Sequence, residues 1–267
     1  MILANTTWLA LLLSLAAASA YALPALATTR MHPSTQRGVL VLAWLLHGLL
    51  LVWGLWAEPA RFGFAPALSV TVWLVALVYA VETRMYPQLE IHWALSALGA
   101  WVVLLALCYP GQVLHASASA WLPLHWALGI ASYGLFAAAA LHAWLMNRTE
   151  DRIRHVAAAP SGLPLLTLER LTFRFVTAGF VLLSATLLSA MLFKESLYGP
   201  GTSWKWDHKT IFSVLSWLTF ATLLTGRARF GWRGRQAARL LYIGSGLLLL
   251  AYVGSRFVIE VILHRSA

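Results

Sequence analysis

Long apolar runs separated by short polar segments make up most of the sequence. A helix needs roughly 20 mostly apolar residues to cross a bilayer core that is about 30 Å thick. By this measure the pattern predicts eight membrane spans, of which the third is the shortest. The predicted spans are Ile2–Leu26, Gly38–Ala57, Pro66–Val81, Ile91–Tyr109, Pro123–Asn147, Leu171–Phe193, His208–Gly226 and Gln236–Leu263.

The fourth and fifth spans are separated by a turn, although Ile91 to Asn147 contains no Asp, Glu, Lys or Arg. Tyr109-Pro110-Gly111 and the small polar segment after it interrupt the apolar run. Within a bilayer only helices satisfy every backbone hydrogen bond inside such segments. The sequence therefore predicts an all-α, polytopic membrane bundle of about eight transmembrane helices. No repeat or soluble segment stands out, so we expect one domain over residues 1–267.

Composition and charge exclude a soluble protein. Hydrophobic residues make up 60% of the 267 positions and charged residues 10%, and the mean hydropathy is +0.74. The excess of 19 Lys and Arg over 9 Asp and Glu would suggest a nucleic-acid partner if the chain were soluble. Here the basic residues lie in short loops and set the orientation of the chain in the membrane. We therefore expect no nucleic-acid partner. The single cysteine, Cys108, excludes a disulfide framework and a cysteine-based metal site.

The positive-inside rule orients the bundle. One set of alternating loops holds most of the arginines, namely Arg30, Arg37, Arg84, Arg148, Arg152, Arg154, Arg170, Arg227, Arg229, Arg233 and Arg235. The opposite set holds Arg61, Lys194, Lys205, Lys209 and Arg265. This bias predicts that both termini lie outside. The first span resembles a signal peptide at Ala17–Ala22, but no basic residue precedes it, so we expect an uncleaved anchor.

Histidines are the main candidates for chemistry, because nine of them occur in a chain with few polar groups. His47 alone falls near the middle of a predicted span. An ionisable group at that depth is costly, so His47 is a candidate ligand, relay or interhelical hydrogen-bonding group. His125 and His208 open the fifth and seventh spans on the same predicted outer side.

The segment before the seventh span has two interpretations. It reads Trp204-Lys205-Trp206-Asp207-His208-Lys209. Interfacial tryptophans followed by a helix N-cap are one interpretation. The other is an aromatic shelf for haem, whose ring favours planar apolar contact, whose iron binds imidazole and whose propionates bind Lys or Arg. Arg256, four residues before Glu260, is predicted to form a local ion pair or to bind a propionate.

This segment, with Trp217 after it, resembles the tryptophan-rich WWD signature of the cytochrome c assembly membrane proteins, the CcsA, CcmC and HemX-like superfamily. Other segments are similar to its YpjD-like branch. The resemblance extends from about His47 to the C-terminus. Besides His125, the segments that carry it are GIASY at 129–133, HKTIFSVLSW at 208–217, GWRGR at 231–235 and AYVGSR at 251–256.

The resemblance implies a multi-pass protein of the bacterial inner membrane that handles non-covalently bound, b-type haem at its outer face. It makes His125 an outer axial-ligand candidate, His208 a second candidate and His47 an intramembrane one. It also implies partners in the membrane, either another inner-membrane protein or a cytochrome maturation component. The residues that it places around the haem are Trp204, Trp206 and Asp207 on the shelf and Arg256 at a propionate.

We expect no enzymatic activity, because the motif has fewer tryptophans than in haem lyases and no catalytic residue set stands out. Two other functions remain open. A metal-ion transport accessory would use the histidines as a pathway, but the sequence shows neither an intramembrane carboxylate cluster nor an inverted repeat. A non-catalytic membrane scaffold would keep the fold and bind another membrane protein.

Overall fold

The computed structural model describes residues 8–27, 31–56, 61–85, 92–113, 121–155, 165–193 and 206–262. Within these ranges the chain forms eight long helices and one pair of two-residue strands, β1 (Arg61–Phe62) and β2 (Gln112–Val113). The helices are α1 (Trp8–Leu26), α2 (Pro33–Trp56), α3 (Phe64–Met85), α4 (His92–Cys108), α5 (Trp121–His155), α6 (Leu165–Leu192), α7 (His208–Phe230) and α8 (Gly234–Leu249). Beyond Leu249 the last helix continues through π-helical turns at Leu250–Gly254 and Val258–Ile262, with one α-helical turn, Ser255–Phe257, between them.

The predicted all-α membrane bundle is confirmed. In the described part of the chain, seven helices are long and apolar enough to cross a membrane, and the apolar stretch of α4 is shorter. The helix ends differ from the predicted spans. The third span proves to be a 22-residue helix, and α5 continues to His155, eight residues past its predicted end at Asn147. Apolar length marks the part of a helix that suits the bilayer, whereas polar residues extend the helix beyond it.

The chain divides into two compact units. The first contains residues Met1–His115 and Arg256–Ala267, and the second contains Ala116–Ser255. Helices α1 to α4 therefore belong to the first unit, and α5 to α8 belong to the second. The expectation of one domain over residues 1–267 stays a prediction.

In the first unit, two tryptophans join α2 to α3 by reciprocal hydrogen bonds. The indole N–H of Trp44 donates to the backbone carbonyl of Trp73 over 3.2 Å, and that of Trp73 donates to the carbonyl of Trp44 over 3.0 Å. The two rings stack with centroids 4.8 Å apart. Each indole therefore satisfies its only donor while its ring fills the interface, which suits an apolar medium without competing water.

A small antiparallel strand pair, which the sequence did not predict, joins two loops of the first unit. Arg61 pairs with Val113, and Phe62 pairs with Gln112. Gly111 follows the left-handed region with φ +83°, and a Cβ on Gly63 would lie 2.7 Å from the Gly111 Cα. The close approach of the two backbones therefore requires glycine here.

In the second unit, all four helices meet around two stacked phenylalanine rings. Phe136 of α5 and Phe220 of α7 lie parallel with centroids 3.7 Å apart. Gly179 of α6 lies against the Phe136 ring, and Gly244 of α8 lies against the Phe220 ring. We call this arrangement the Gly-Phe-Phe-Gly stack. Because membrane helices associate through close van der Waals packing, the two glycines set how near α6 and α8 can come.

Substitution of Gly244 with alanine should destabilise the protein. An alanine Cβ would lie 2.8 Å from the Phe220 ring, and the parallel Phe136 ring limits how far Phe220 can shift. We expect Gly244→Ala to cost about 2 kcal/mol, the usual scale of overpacking, as measured by thermal unfolding in detergent. Gly246→Ala is the matched control, since no atom lies within 4 Å of its Cβ position. Equal thermal unfolding midpoints for Gly244→Ala and Gly246→Ala would show that close packing at Gly244 does not stabilise the protein.

Candidate functional site

Polar side chains from the four described helices of the second unit meet at one end of that unit. His125 lies near the start of α5, and Ser189 lies near the end of α6. His208 opens α7, and Ser255 lies in the continuation of α8. Hydrogen bonds join these residues in the pairs His125–Ser189 and His208–Ser255. We call this arrangement the histidine end of the second unit.

His125 is held by a serine of the neighbouring helix. Its Nδ1 lies 2.9 Å from the Ser189 hydroxyl oxygen, and that hydroxyl donates its proton to the Thr186 carbonyl over 2.8 Å. The His125 ring is also hydrogen-bonded to the Thr186 backbone. The tautomer with its proton on Nδ1 satisfies the Ser189 contact, because Ser189 has only one proton and gives it to Thr186. The other nitrogen, Nε2, then holds the basic lone pair that a metal ion requires.

The beginning of α7 brings charge to the histidine end. The Lys209 ammonium acts electrostatically on the His125 ring and lies 5.6 Å from the centroid of the Tyr252 ring. His208 points its Nε2 at the Ser255 hydroxyl over 2.8 Å. The structure therefore brings His125 into the same cluster as the start of α7, as the sequence predicted for the outer side of the bundle.

Asp207 caps α7. Its carboxylate accepts a hydrogen bond from the backbone N–H of Thr210 over 2.8 Å, and its backbone is extended, as N-cap residues require. Burial alone would raise the pKa of Asp207, but bonds from the Thr210 amide and hydroxyl, with the charges of Lys209 and His208, lower it. The N-cap interpretation is therefore confirmed.

Of the two tryptophans predicted to form the aromatic shelf, Trp206 is described by the structure and Trp204 is not. Trp206 precedes the cap and is 67% exposed, so its indole is accessible beside the start of α7. Trp204 lies outside the described residues. Whether the two form an aromatic shelf stays a prediction.

His47 lies in the first unit, where both of its ring nitrogens have protein neighbours. Its Nε2 lies 2.7 Å from the Ser69 hydroxyl of α3, and its Nδ1 lies 3.3 Å from the Tyr21 hydroxyl of α1. The side chain is fully buried. A role as iron ligand would require one of these contacts to break. The arrangement favours the interhelical interpretation, while the ligand role stays a prediction.

Arg256 also belongs to the first unit, and its charge acts on the Glu260 carboxylate one turn later. This supports the predicted local interaction. Glu260 has a second role that the sequence did not indicate. It is hydrogen-bonded to the backbone of Phe64, and a Cβ on Gly63 would lie 2.8 Å from both of its carboxylate oxygens. Glu260 therefore stabilises the N-terminal end of α3, where a negative charge is favourable.

Sequence reasoning missed Ser189, Lys209 and Ser255 as parts of the cluster. Lys209 lies inside the tryptophan-containing segment and could have been found there. Ser189 and Ser255 give a weaker signal, since each is a small polar residue near the same predicted end of an apolar run. Among the residues that the structure describes, no three His, Cys, Asp or Glu side chains form a group that could hold a metal ion.

Comparison with known proteins establishes the family. The sequence model of the family described as Cytochrome C assembly protein matches residues 11–263, which is nearly the whole chain. The chain belongs to this family. The predicted resemblance is therefore confirmed.

Two of the relatives described here match most of this chain, and a third matches a short part of it. An uncharacterized 28.8 kDa protein of Azospirillum brasilense is 31% identical over 225 residues, covering 79% of this chain and 81% of the relative. Inner membrane protein YpjD of Escherichia coli K12 is 28% identical over 198 residues, covering 73% of each chain. Cytochrome c biogenesis protein CcsA of Synechococcus sp. JA-2-3B'a(2-13) is 40% identical, but only over 58 residues, or 17% of that protein. No solved structure matches.

Together the apolar helices and the relatives identify a multi-pass protein of the bacterial inner membrane. The predicted localisation is therefore confirmed. The side on which each terminus lies stays a prediction.

The cap on α7 should make stability depend on pH. Since folding lowers the pKa of Asp207, its carboxylate stabilises the folded protein above its ordinary pKa of about 4 and loses this effect as the pH falls through the lowered value. At pH 7 we expect Asp207→Ala to cost about 1 kcal/mol and Asp207→Asn much less. Thermal unfolding at pH 7 and near pH 3 measures both effects. Equal unfolding midpoints for Asp207→Ala and Asp207→Asn at pH 7 would refute the stabilisation of α7 by its cap.

Proposed function

We propose that this protein binds non-covalent, b-type haem at the histidine end of its second unit and handles it during cytochrome c assembly. Family membership supports the general role, and the partly similar CcsA is named a cytochrome c biogenesis protein. The observation that carries the proposal is the hydrogen bond between His125 Nδ1 and Ser189. It favours the tautomer whose Nε2 holds the basic lone pair.

The residues at the histidine end fit a haem. Haem iron takes a neutral imidazole nitrogen, and metal-bound histidines are usually oriented by a hydrogen bond from their other nitrogen. His125 has this arrangement. Lys209 supplies a cation for a propionate, and the exposed Trp206 indole offers an apolar plane to the ring. Bound haem would supply a redox-active iron, while the protein residues orient it and neutralise its carboxylates.

His208 is the weaker of the two ligand candidates at this end. Its Nε2 is bonded to the Ser255 hydroxyl, so iron binding through Nε2 would require that bond to break. We propose His125 as the principal ligand and His208 as a second ligand that exchanges Ser255 for iron. Trp204 remains a proposed contact of the ring, and a propionate contact at Arg256 stays a prediction.

We propose that the histidine end faces the outside of the cell, with both chain termini on that side. The opposite end of the second unit supports this orientation. There Arg227 pairs with Glu169 at 2.5 Å and Arg235 pairs with Asp151. Further exposed arginines lie within about one turn of these pairs along the helices, namely Arg170, Arg174, Arg229 and Arg239. An excess of arginine marks the cytoplasmic side of a membrane protein.

We propose a binding and transfer role without catalysis. The partners would be haem, the lipid bilayer and another inner-membrane protein or cytochrome maturation component. The polar groups of the histidine end can hold a haem and orient it, and they suggest no covalent step.

Replacement of His125 should remove bound haem. We expect purified His125→Ala to lose most of the Soret absorbance of the wild type when both are expressed with added haem, because the iron loses its imidazole ligand. His32→Ala is the matched control, since His32 is exposed and bonded to the nearby Ser34. A folded His125→Ala protein with wild-type Soret absorbance would exclude His125 as the principal ligand.

Replacement of His47 should act on stability instead. His47→Ala leaves a cavity and removes the residue to which Tyr21 and Ser69 are hydrogen-bonded. We therefore expect the free energy of unfolding to fall by about 2–4 kcal/mol. Ser69→Ala removes only one hydrogen bond and should cost about 1 kcal/mol. Thermal unfolding and haem content per folded protein are measured together. Loss of haem at unchanged stability would show that His47 is a ligand after all.

A further inference from the structure

The last helix changes its hydrogen-bonding pattern where it reaches the histidine end. After Leu249 the chain forms the π-helical turn Leu250–Gly254. At the end of this turn the Ser255 amide bonds to the Leu250 carbonyl five residues earlier, where an α-helix would use a residue four earlier. Single π-helical turns inside α-helices are frequent at functional sites.

The side chain that enters this ladder is Tyr133 of α5. Its hydroxyl donates a hydrogen bond to the Leu248 carbonyl, and the same side chain is hydrogen-bonded to the backbone of Tyr252. In a regular α-helix the Tyr252 amide would bond directly to the Leu248 carbonyl. The Tyr133 hydroxyl therefore lies between two backbone groups that would otherwise bond to each other.

The residues within and just after this turn contact the start of α7. The Tyr252 ring lies beside the Lys209 ammonium, and the Ser255 hydroxyl bonds to His208. A π-helical turn contains an extra residue, so it changes the direction in which the following side chains point. The direction of Tyr252 and Ser255 therefore depends on the turn beside Tyr133.

We propose that Tyr133 is a positioning residue for the histidine end. Its hydroxyl holds the π-helical turn open and thereby directs Tyr252 towards Lys209 and Ser255 towards His208. This inference rests on the proposed haem function for its purpose, because it places the cation and the second histidine around the haem. It makes a structural claim that can be tested with or without haem.

Hydrogen exchange of the full-length protein in detergent, read by mass spectrometry, tests the structural claim. Tyr133→Phe removes only the hydroxyl. We expect amide exchange to become at least about five-fold faster in the peptides that cover residues 248–255 and 207–212, since both lose hydrogen bonds that protect them. Tyr242→Phe is the matched control, because the Tyr242 hydroxyl bonds to the Asn147 side chain instead of the backbone ladder.

Each outcome decides the claim. Slower exchange at 248–255 would mean that the segment closes into a regular α-helix, which also shows that Tyr133 holds the turn open. Exchange at 248–255 equal to that of the wild type and of Tyr242→Phe would overturn the proposal. A change confined to 248–255, with residues 207–212 unaffected, would overturn the positioning of α7.

Haem binding supplies a second, separate measurement. In haem-loaded protein we expect Tyr133→Phe to shift the Soret maximum and the electron paramagnetic resonance signal of the iron, while Tyr242→Phe leaves both unchanged. A wild type that binds no haem would refute the proposed function, yet the exchange experiment would still decide the role of Tyr133. Altered exchange with an unaltered iron signal would refute the link between Tyr133 and the haem.

Discussion

The Gly-Phe-Phe-Gly stack is the contact on which the second unit depends. The hydrophobic effect contributes little to the association of membrane helices, because lipid tails are as apolar as the side chains. Close packing must therefore hold the helices together. Phe136 and Phe220 join α5 to α7 face to face, and the glycines at 179 and 244 let α6 and α8 approach these two rings closely. This one stack sets the positions of all four helices and thereby brings His125 and the start of α7 to the same end.

Some of the buried polar groups in the described helices bond across to a neighbouring helix. His47 bonds to two other helices, and Ser216 donates to the Gly244 carbonyl over 2.8 Å beside the stack. The Tyr133 hydroxyl donates to a backbone carbonyl, that of Leu248, in another helix. His125 bonds to Ser189 of the neighbouring helix through Nδ1, and the tautomer that fits this contact keeps Nε2 basic.

Sequence reasoning predicted what depends on local composition. The number of helices follows from apolar length, and the cap at Asp207 follows from an acidic residue just before a helix. The depth of His47 in its span also showed that it needed a polar partner. These features require only neighbouring residues, so a single sequence contains them.

Long-range geometry could not be predicted in the same way. Ser189 lies 64 residues from His125, and many small polar residues occur in apolar runs, so nothing in the sequence selects this partner. The π-helical turn depends on Tyr133, which lies 115 residues before Leu248. The helix ends also differ, because polar segments such as 148–155 continue α5 beyond its apolar run. Each of these features is decided by packing between helices.

A titration of the wild-type protein with haem, followed by absorption spectroscopy in lipid nanodiscs, tests the central claim most directly. The account predicts a saturable Soret band distinct from that of haem in empty nanodiscs, with one haem bound per chain and an iron signal typical of imidazole ligation. A folded protein whose spectrum matches haem in empty nanodiscs at every ratio would contradict it.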